Sequence, residues 1–357
     1  MTSEDADPGS GAVPPEAGVE AALDALLRAL EPQVADSYDR RLARHLLRSA
    51  VGLVQQQPAT LDLKIAGVAL REMADAFAMF DATRGIPKVS IFGSARTAVN
   101  DPLYAAAREV ASRLAERGWM VVTGAGPGIM QAGMEGAGRD RSIGVSIKLP
   151  FEQGANPVIA GDPKYVSMRY FFTRKLMLVK ESRGFVCLPG GFGTLDETFE
   201  LLTLTQTGKG IPVPIVFLDT PGDPYWETVD AFVREQLVER RLVAGTDRHL
   251  YLITESCDEA VAEIVGFYRN YDSMRYVGDT LVVRVQHPVT DAQLAVLGER
   301  FGHLSASGTF ERTEPFPPEV RDGDRVHLHR IAFEFAKHGY GDLREMIDLI
   351  NTFEPAS

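Results

Sequence analysis

The sequence predicts an α/β protein with a doubly wound parallel sheet, preceded by helices and followed by a small C-terminal α+β appendage. Between residues 88 and 271, short apolar runs alternate with longer amphipathic runs, as in parallel strands joined by helices. The pattern differs on both sides of this region. We therefore expect a disordered tail at 1–18, a helical segment at 19–87, the sheet domain at 88–271 and the appendage at 272–357.

The central region alternates six strands with six helices. Asn100-Asp101-Pro102 is typical of a helix start, and Gly118 and Gly208 are typical of helix ends. The predicted strands are Val89–Phe92, Met120–Thr123, Ile143–Ile147, Phe185–Leu188, Pro214–Leu218 and Leu250–Thr254. The predicted helices are Leu103–Arg117, Gly128–Gly138, Met168–Ser182, Leu195–Gln206, Tyr225–Arg240 and Asp258–Tyr268.

The flanking regions carry no chemical motif. The N-terminal region shows three helical patterns, for which packing or oligomerisation is the favoured role, and the appendage mixes strands and helices. The N-terminal helices are expected at Val19–Leu30, Tyr38–Gln56 and Leu61–Phe80. In the appendage we expect strands at Leu281–Gln286, near Thr309 and at Arg325–Glu334, and helices at Asp291–Phe301 and Leu343–Asn351.

Charge and composition exclude several classes of protein. With 37 basic and 49 acidic residues the net charge is −12, which argues against nonspecific binding to nucleic acids or anionic membranes. The two cysteines, Cys187 and Cys257, indicate no disulfide framework, and the seven histidines show no metal-ligand spacing, so no metal site is predicted. With no basic, apolar leader and no run long enough to span a bilayer, we expect a cytoplasmic protein.

The segment Pro189–Glu197 is the most informative in the chain. It follows an apolar strand, contains Gly190, Gly191 and Gly193, and leads into a helix. Such a turn brings backbone N–H groups close to an anion that the helix N-terminus also favours, which indicates a phosphate site. Thr194-x-x-Glu197 also fits a capping box with a purely structural role. The lysine of a Walker loop is missing, and the glycine spacing differs from the dinucleotide fingerprint.

Three more segments lie where strands and helices meet. Phe92-Gly93-Ser94-Ala95-Arg96 closes the first strand, and Thr123-Gly124-Ala125-Gly126-Pro127-Gly128-Ile129-Met130 closes the second. No acidic residue ends the strand that follows, which argues against NAD. The third segment, Phe171–Met177, carries the cation pair Arg174-Lys175 between apolar flanks.

Together these four motifs resemble the LONELY GUY (LOG) family, whose relatives often carry the label "lysine decarboxylase family". The flanking regions suggest a longer bacterial subgroup. The resemblance implies a Rossmann-like fold and a phosphoribohydrolase that cleaves the N-glycosidic bond of a nucleoside 5′-monophosphate, a cytokinin riboside monophosphate or AMP. It implies no cofactor, a small-molecule nucleotide as partner, and a homodimer or higher homo-oligomer.

The family's essential arginine corresponds to Arg174 and its essential glutamate to Glu197. A ribosyl bond gains positive charge on the sugar as it breaks, so a carboxylate near the ribose suits this chemistry. Glu200, one helical turn further, is the rival for the catalytic role or orients its neighbour. The substrate-binding residues would be Gly93, Ser94, Gly124, Gly126, Met130, Gly190, Gly191, Gly193, Thr194 and Glu200.

Other functions stay open at this point. A catalytically silent nucleotide sensor, or a carrier like the molybdenum-cofactor carrier proteins, needs only the phosphate loop. A pyridoxal-phosphate lysine decarboxylase is disfavoured, since no lysine stands in a recognisable cofactor context. Asp196 and Phe171-Phe172-Thr173 depart from the plant-type pattern, and the second departure leaves the choice between cytokinin precursors and AMP open.

Overall fold

A computed structural model describes residues 15–30, 37–149 and 154–354. Residues 1–14 of the predicted disordered tail lie outside the described residues, and its last four residues belong to the helix that begins at Pro15. The backbone divides into two compact units, Met1–Arg71 and Glu72–Ser357, and the division falls inside the third helix. The sheet domain and the appendage therefore share one unit.

The three N-terminal helices form where the sequence predicts them. They are α1 (Pro15–Leu30), α2 (Ser37–Gln55) and α3 (Thr60–Asp81). Arg48 of α2 donates two hydrogen bonds to the carboxylate of Glu20 on α1, at 3.1 and 2.6 Å. Across the described residues, no helix is both long enough and apolar enough to cross a membrane.

The sheet domain is built on seven parallel strands in the order β4-β3-β2-β1-β5-β6-β7. The chain starts in the middle of the sheet, builds one half outwards, and returns beside β1 to build the other. The switch point lies between β1 and β5, where α/β sheets of this kind bind their ligands. The strands are β1 (Lys88–Phe92), β2 (Met120–Thr123), β3 (Ser142–Ile147), β4 (Tyr165–Met168), β5 (Gly184–Cys187), β6 (Ile215–Leu218) and β7 (Leu252–Thr254).

Helices cover both faces of this sheet, which confirms the doubly wound architecture. On one face Val89, Ile91 and Val186 pack against residues of α4, α5 and α9, and on the other Phe92, Phe185 and other strand residues pack against α3, α6, α7 and α8. The helices are α4 (Pro102–Glu116), α5 (Ile129–Ala137), α6 (Phe171–Lys180), α7 (Phe192–Gln206), α8 (Tyr225–Phe232) and α9 (Cys257–Gly266).

Two elements of this domain differ from the prediction. Strand β4 was not predicted, and Met168, expected to begin a helix, ends this strand instead. The strand has four residues, lies at the sheet edge and is only half-buried, so it lacks the apolar run that marks the inner strands. The helix expected at Tyr225–Arg240 is α-helical only to Phe232, and Val233–Val238 form a π-helical turn.

The appendage is a four-stranded antiparallel sheet, order β10-β11-β9-β8, packed with its own helices. Helix α10 forms where predicted, with Thr290 and Gln293 in a capping box. Strand β8 and helix α11 were not predicted. The elements are β8 (Tyr271–Val277), β9 (Thr280–Val285), α10 (Asp291–Phe301), β10 (Glu311–Arg312), α11 (Pro317–Asp322), β11 (His329–Glu334) and α12 (Tyr340–Thr352).

Candidate functional site

A cavity of about 780 Å³ opens at the carboxyl ends of β1 and β5, at the switch point of the sheet. The loops after these two strands are joined directly, since the Ser94 N–H donates to the Pro189 carbonyl at 3.2 Å. The Ser94 carbonyl accepts from the N–H of Ile129, the first residue of α5, at 3.0 Å. Three of the four predicted motifs thus meet at one rim.

The glycines around this rim are of two kinds. A Cβ on Gly190 would lie 2.1 Å from Thr194 Oγ1, and a Cβ on Gly128, whose φ is +65°, would lie 2.4 Å from the Ser94 carbonyl oxygen. These positions need glycine because backbone and side chains approach so closely. Gly191 and Gly193 have nothing within 4 Å of the corresponding position and are exposed to the cavity. The second kind leaves room for a ligand against the backbone.

Helix α7 begins at this loop without a side-chain cap. Its first residue is Phe192, Gly191 is the N-cap, and within the described part of the chain the helix has no side-chain cap. The capping box is therefore not formed, because Thr194 already lies inside the helix. Among the described residues Glu197 Oε2 has no hydrogen-bond partner. The exposed end of α7 offers its N–H groups and its positive dipole to an anion in the cavity.

Glu197 is the most perturbed carboxyl group of the cavity. It is 6% exposed, with Arg174 Nη1 3.7 Å from Oε1 and Lys175 Nζ 3.9 Å from Oε2. Burial raises its pKa to about 7, although Arg174 and Lys175 act in the opposite direction. The negative charges of Glu200 and Asp196 add to the rise. Near neutral pH this carboxyl group has both protonation states within reach.

Arg174 is held in place from two directions. Its Nε donates to the Val145 carbonyl on β3 at 3.1 Å. The buried carboxylate of Glu72 on α3 accepts from the Arg169 N–H at 2.5 Å and from Thr173 Oγ1 at 2.7 Å, which ties down the start of α6. A Cβ at Gly124 would lie 2.3 Å from Arg174 Nη2, so this glycine makes room for the guanidinium.

Lys175 and Glu200 pair with each other beside the cavity. Lys175 Nζ lies 2.7 Å from Glu200 Oε2 and 2.9 Å from Asp196 Oδ2. Glu200 does not line the cavity, in contrast to the other predicted site residues, and faces a shallow depression next to it. The predicted residues that do line the cavity are Arg174, Glu197, Gly93, Ser94, Gly124, Gly126, Met130, Gly190, Gly191, Gly193 and Thr194.

The sequence reasoning missed Tyr225 and Glu72. Tyr225 lines the cavity, and its hydroxyl donates to the Gly190 carbonyl at 2.7 Å. Tyr225 begins the helix that follows β6, the neighbour of β5 in the sheet. Ligands of such sheets bind at the carboxyl ends of the strands, and this rule was the one signal in the sequence that could have found Tyr225. Glu72 lies far from every motif in the chain, and no local pattern marks it.

The fold and the glycine-lined cavity at its switch point define a doubly wound, Rossmann-like α/β protein with its cavity where such sheets bind their ligands. Residues 128–264 match the family model described as "Possible lysine decarboxylase". The chain is 28% identical over 173 residues to cytokinin riboside 5′-monophosphate phosphoribohydrolase LOG1 of Arabidopsis thaliana, covering 47% of this chain and 78% of the relative. It is 30% identical over 158 residues to the probable enzyme LOG6 of the same plant, covering 43% and 75%.

The chain therefore belongs to the LOG family, as its four motifs predict. Among solved structures, it resembles the molybdenum cofactor carrier protein MCP from Chlamydomonas reinhardtii. That match has 21% identity and a TM-score of 0.35 and covers 50% of this chain and 94% of the carrier. A likeness this distant carries no argument about function.

Proposed function

We propose that this protein hydrolyses the N-glycosidic bond of a nucleoside 5′-monophosphate, releasing the free base and ribose 5-phosphate. The observation that carries the proposal is Glu197, a buried carboxyl group with its pKa raised to about 7, at the end of a glycine loop built for an anion. The relatives named above carry this activity in their names, and all four motifs of this chain that resemble the family contribute residues to the cavity.

The 5′-phosphate would bind at the N-terminus of α7. Gly191 and Gly193 leave the backbone open there, and the first N–H groups of a helix have no partner within the helix. Tyr225 supports this loop through the Gly190 carbonyl. Glu197 follows one turn further into the same helix, so a bound phosphate would bring the attached ribose close to its carboxyl group.

Glu197 would act on the ribose and on the attacking water. As the bond to the base breaks, its electron pair leaves with the base and positive charge develops on the sugar. The ionised carboxylate stabilises this charge and accepts a proton from the water whose oxygen bonds to the anomeric carbon. The departing base takes up a proton from the solvent, to which Glu197 returns the proton that it accepted, so atoms and charge balance without a metal or a cofactor in the scheme.

Arg174 would provide fixed positive charge and not a proton. A guanidinium stays charged at any working pH and presents several donors in one plane. Its Nε bond to Val145 and the space left by Gly124 set its orientation toward the cavity. We assign it to the phosphate or to the negative charge that develops on the leaving base. A lysine cannot both donate to the Val145 carbonyl and fill the space that the guanidinium occupies beside Gly124. Arg174→Lys should therefore also lose activity.

The base-binding wall is apolar. Ile147, Leu149 and Phe171 line the cavity and offer an apolar surface to the base. Such a wall accepts either an unsubstituted adenine or one with an apolar substituent. The proposed substrates are accordingly AMP and cytokinin riboside monophosphates.

The test is to incubate the purified protein with AMP and with isopentenyladenosine monophosphate and to measure the released base by chromatography. We expect release from at least one nucleotide, and the ratio of rates identifies the preferred base. Glu197→Gln should lower turnover by a factor of roughly 10² or more, since removing a catalytic proton acceptor typically has such an effect.

Glu200→Gln is the matched comparison on the same helix. It removes a carboxylate paired to Lys175 outside the cavity, and we expect it to keep most of the turnover. If Glu200→Gln abolishes activity and Glu197→Gln does not, the catalytic assignment is wrong. Binding of both nucleotides without any release of base would instead support the sensor or carrier alternative.

A further inference from the structure

A cluster of metal-ligating side chains lies far in sequence from every motif of the cavity. His249 belongs to the 3₁₀ turn Gly245–Leu250 that precedes β7, and Asp342 and Glu345 stand on the first two turns of α12. His303 lies in the 3₁₀ turn that follows α10. None of these four residues lines the candidate active site. The cluster therefore needs an explanation of its own.

The distances in this cluster suit a shared ion better than direct hydrogen bonds. The ligand atoms of His249, Asp342 and Glu345 all lie within 4.8 Å of one another. His249 Nδ1 lies 3.4 Å from Glu345 Oε2, and His303 Nε2 lies 3.6 Å from Asp342 Oδ2. Good hydrogen bonds between such groups are shorter. Ligands held about 2.0–2.2 Å from a tetrahedral ion are about 3.3–3.6 Å apart.

We propose that His249, Asp342 and Glu345 bind a divalent first-row transition-metal ion, Zn²⁺ in the first place, with water as the fourth ligand. Imidazole and carboxylate groups, with water in an open position, are donors that Zn²⁺ takes in tetrahedral sites. Mg²⁺ and Ca²⁺ prefer oxygen ligands only, so the histidine selects against them. This proposal differs from the sequence prediction of no metal site, which rested on the absence of a local ligand spacing.

The surroundings already hold the ligands in place. Arg300 Nη2 donates to Glu345 Oε1 at 2.8 Å, which leaves Oε2 directed at His249. A Cβ on Gly341 would lie 2.0 Å from the Thr246 carbonyl oxygen, so α12 and the 3₁₀ turn are packed backbone to backbone. Hydrogen bonding to a ligating carboxylate is the usual support of a protein metal site. His249, Glu345 and His303 are partly exposed, which gives an ion a path of entry.

The ion would join the sheet domain to the appendage. His249 comes from the sheet domain, and the other two ligands come from α12 of the appendage. A ligand that binds only the folded state stabilises it in proportion to the logarithm of its concentration. Zn²⁺ should therefore raise the melting temperature without changing the rate at saturating substrate.

The test uses the full-length protein freed of metal by chelation. We expect one Zn²⁺ per chain by calorimetry, a melting temperature that rises with Zn²⁺ concentration, and the intense visible absorption of tetrahedral Co²⁺. His249→Ala and Glu345→Gln should each weaken binding by roughly tenfold or more, comparable with the loss on mutating even the outer partners of metal ligands. Mg²⁺ at the same concentrations should have no effect.

His327→Ala is the matched control, since it removes an exposed histidine of the same appendage outside the cluster. Its Zn²⁺ affinity should equal that of the unmodified chain. Equal affinity in His249→Ala and the unmodified chain overturns the proposal, and so does equal weakening by His327→Ala. Melting temperatures measured without metal separate a loss of ligand from a loss of fold in each variant.

Discussion

At the scale of single residues, the chemistry depends on how Glu197 is kept between its two cations. Arg174 and Lys175 approach it only to 3.7 and 3.9 Å, and both also have other partners, the Val145 carbonyl for one and Glu200 with Asp196 for the other. The loss of water on burial therefore outweighs their attraction, and the pKa rises. A carboxylate satisfied by a direct ion pair would be a poor proton acceptor.

The raised pKa predicts the direction of the pH dependence. The proposed role needs the ionised form, so kcat/KM should increase as pH rises through about 7 and level off above it. Glu200→Gln should move this midpoint to lower pH, because the Glu200 charge contributes to the rise in the pKa of Glu197. The measurement is kcat/KM of the unmodified chain and of Glu200→Gln over a range from about pH 5.5 to about pH 9.

A profile that falls above pH 7 would instead assign Glu197 the role of a proton donor. The 5′-phosphate of the substrate titrates near pH 6 and also changes kcat/KM with pH. This contribution is the same for the unmodified chain and for Glu200→Gln. Only the difference between them reports on Glu197.

At the scale of elements, the two kinds of glycine in the loop before α7 should respond differently to alanine. Gly190→Ala forces a methyl group against Thr194 Oγ1 and should destabilise the protein by about 1–3 kcal/mol, the usual range for overpacking. Gly191→Ala meets nothing and should leave the melting temperature almost unchanged. Because its methyl group enters the cavity, it should raise the KM for the nucleotide. Thermal melts and steady-state kinetics on both variants check this, and equal melting temperatures would contradict it.

Glu72, in the middle of α3, connects this helix to the start of α6. It accepts from the Arg169 N–H, just before α6, and from Thr173 Oγ1 in the first turn of α6. Glu72→Ala removes the acceptor of the Arg169 N–H and one of the two acceptors of Thr173 Oγ1, the other being the Tyr170 carbonyl, and should cost about 1–3 kcal/mol of stability. Since Arg174 is the next residue after Thr173, kcat should also fall.

The readouts for Glu72→Ala are chemical denaturation and kcat. Asp75→Ala, an exposed carboxylate on the same helix, is the control and should change neither. Loss of stability with full kcat would show that Glu72 supports the core without positioning Arg174.

At the scale of the whole molecule, we expect self-association through the surface beside the cavity. Phe171, Phe172 and Leu176 of α6 are about half exposed, and Phe192 at the start of α7 is 93% exposed. Apolar patches of this kind mark interaction sites. We predict a homodimer that Phe172→Asp converts to a monomer, measured by light scattering on a sizing column. Val99→Asp, at another exposed apolar residue, should leave the dimer intact, and a monomeric unmodified chain would refute the prediction.

The parts of this protein that the sequence predicts are those with a local cause. Inner strands are apolar because both faces are covered, and Gly124, Gly128 and Gly190 are glycines because the backbone approaches its neighbours there. Strand β4, half-buried at an edge, has no such pattern. Tyr225 and Glu72 act through partners distant in sequence, and a single chain gives no local sign of those pairs.

The hydrogen bond from the Ser94 N–H to the Pro189 carbonyl can form only late during synthesis on the ribosome. When β1 to β4 have emerged, β1 still lacks β5 as a neighbour, and the future rim consists of two glycine loops with nothing opposite. The chain between Ser94 and Pro189 forms a long loop, and closing it is slow because its entropy is lost before the stabilising contacts form. A nascent chain therefore completes the cavity late, and the proposed nucleotide site forms only after both halves of the sheet have joined.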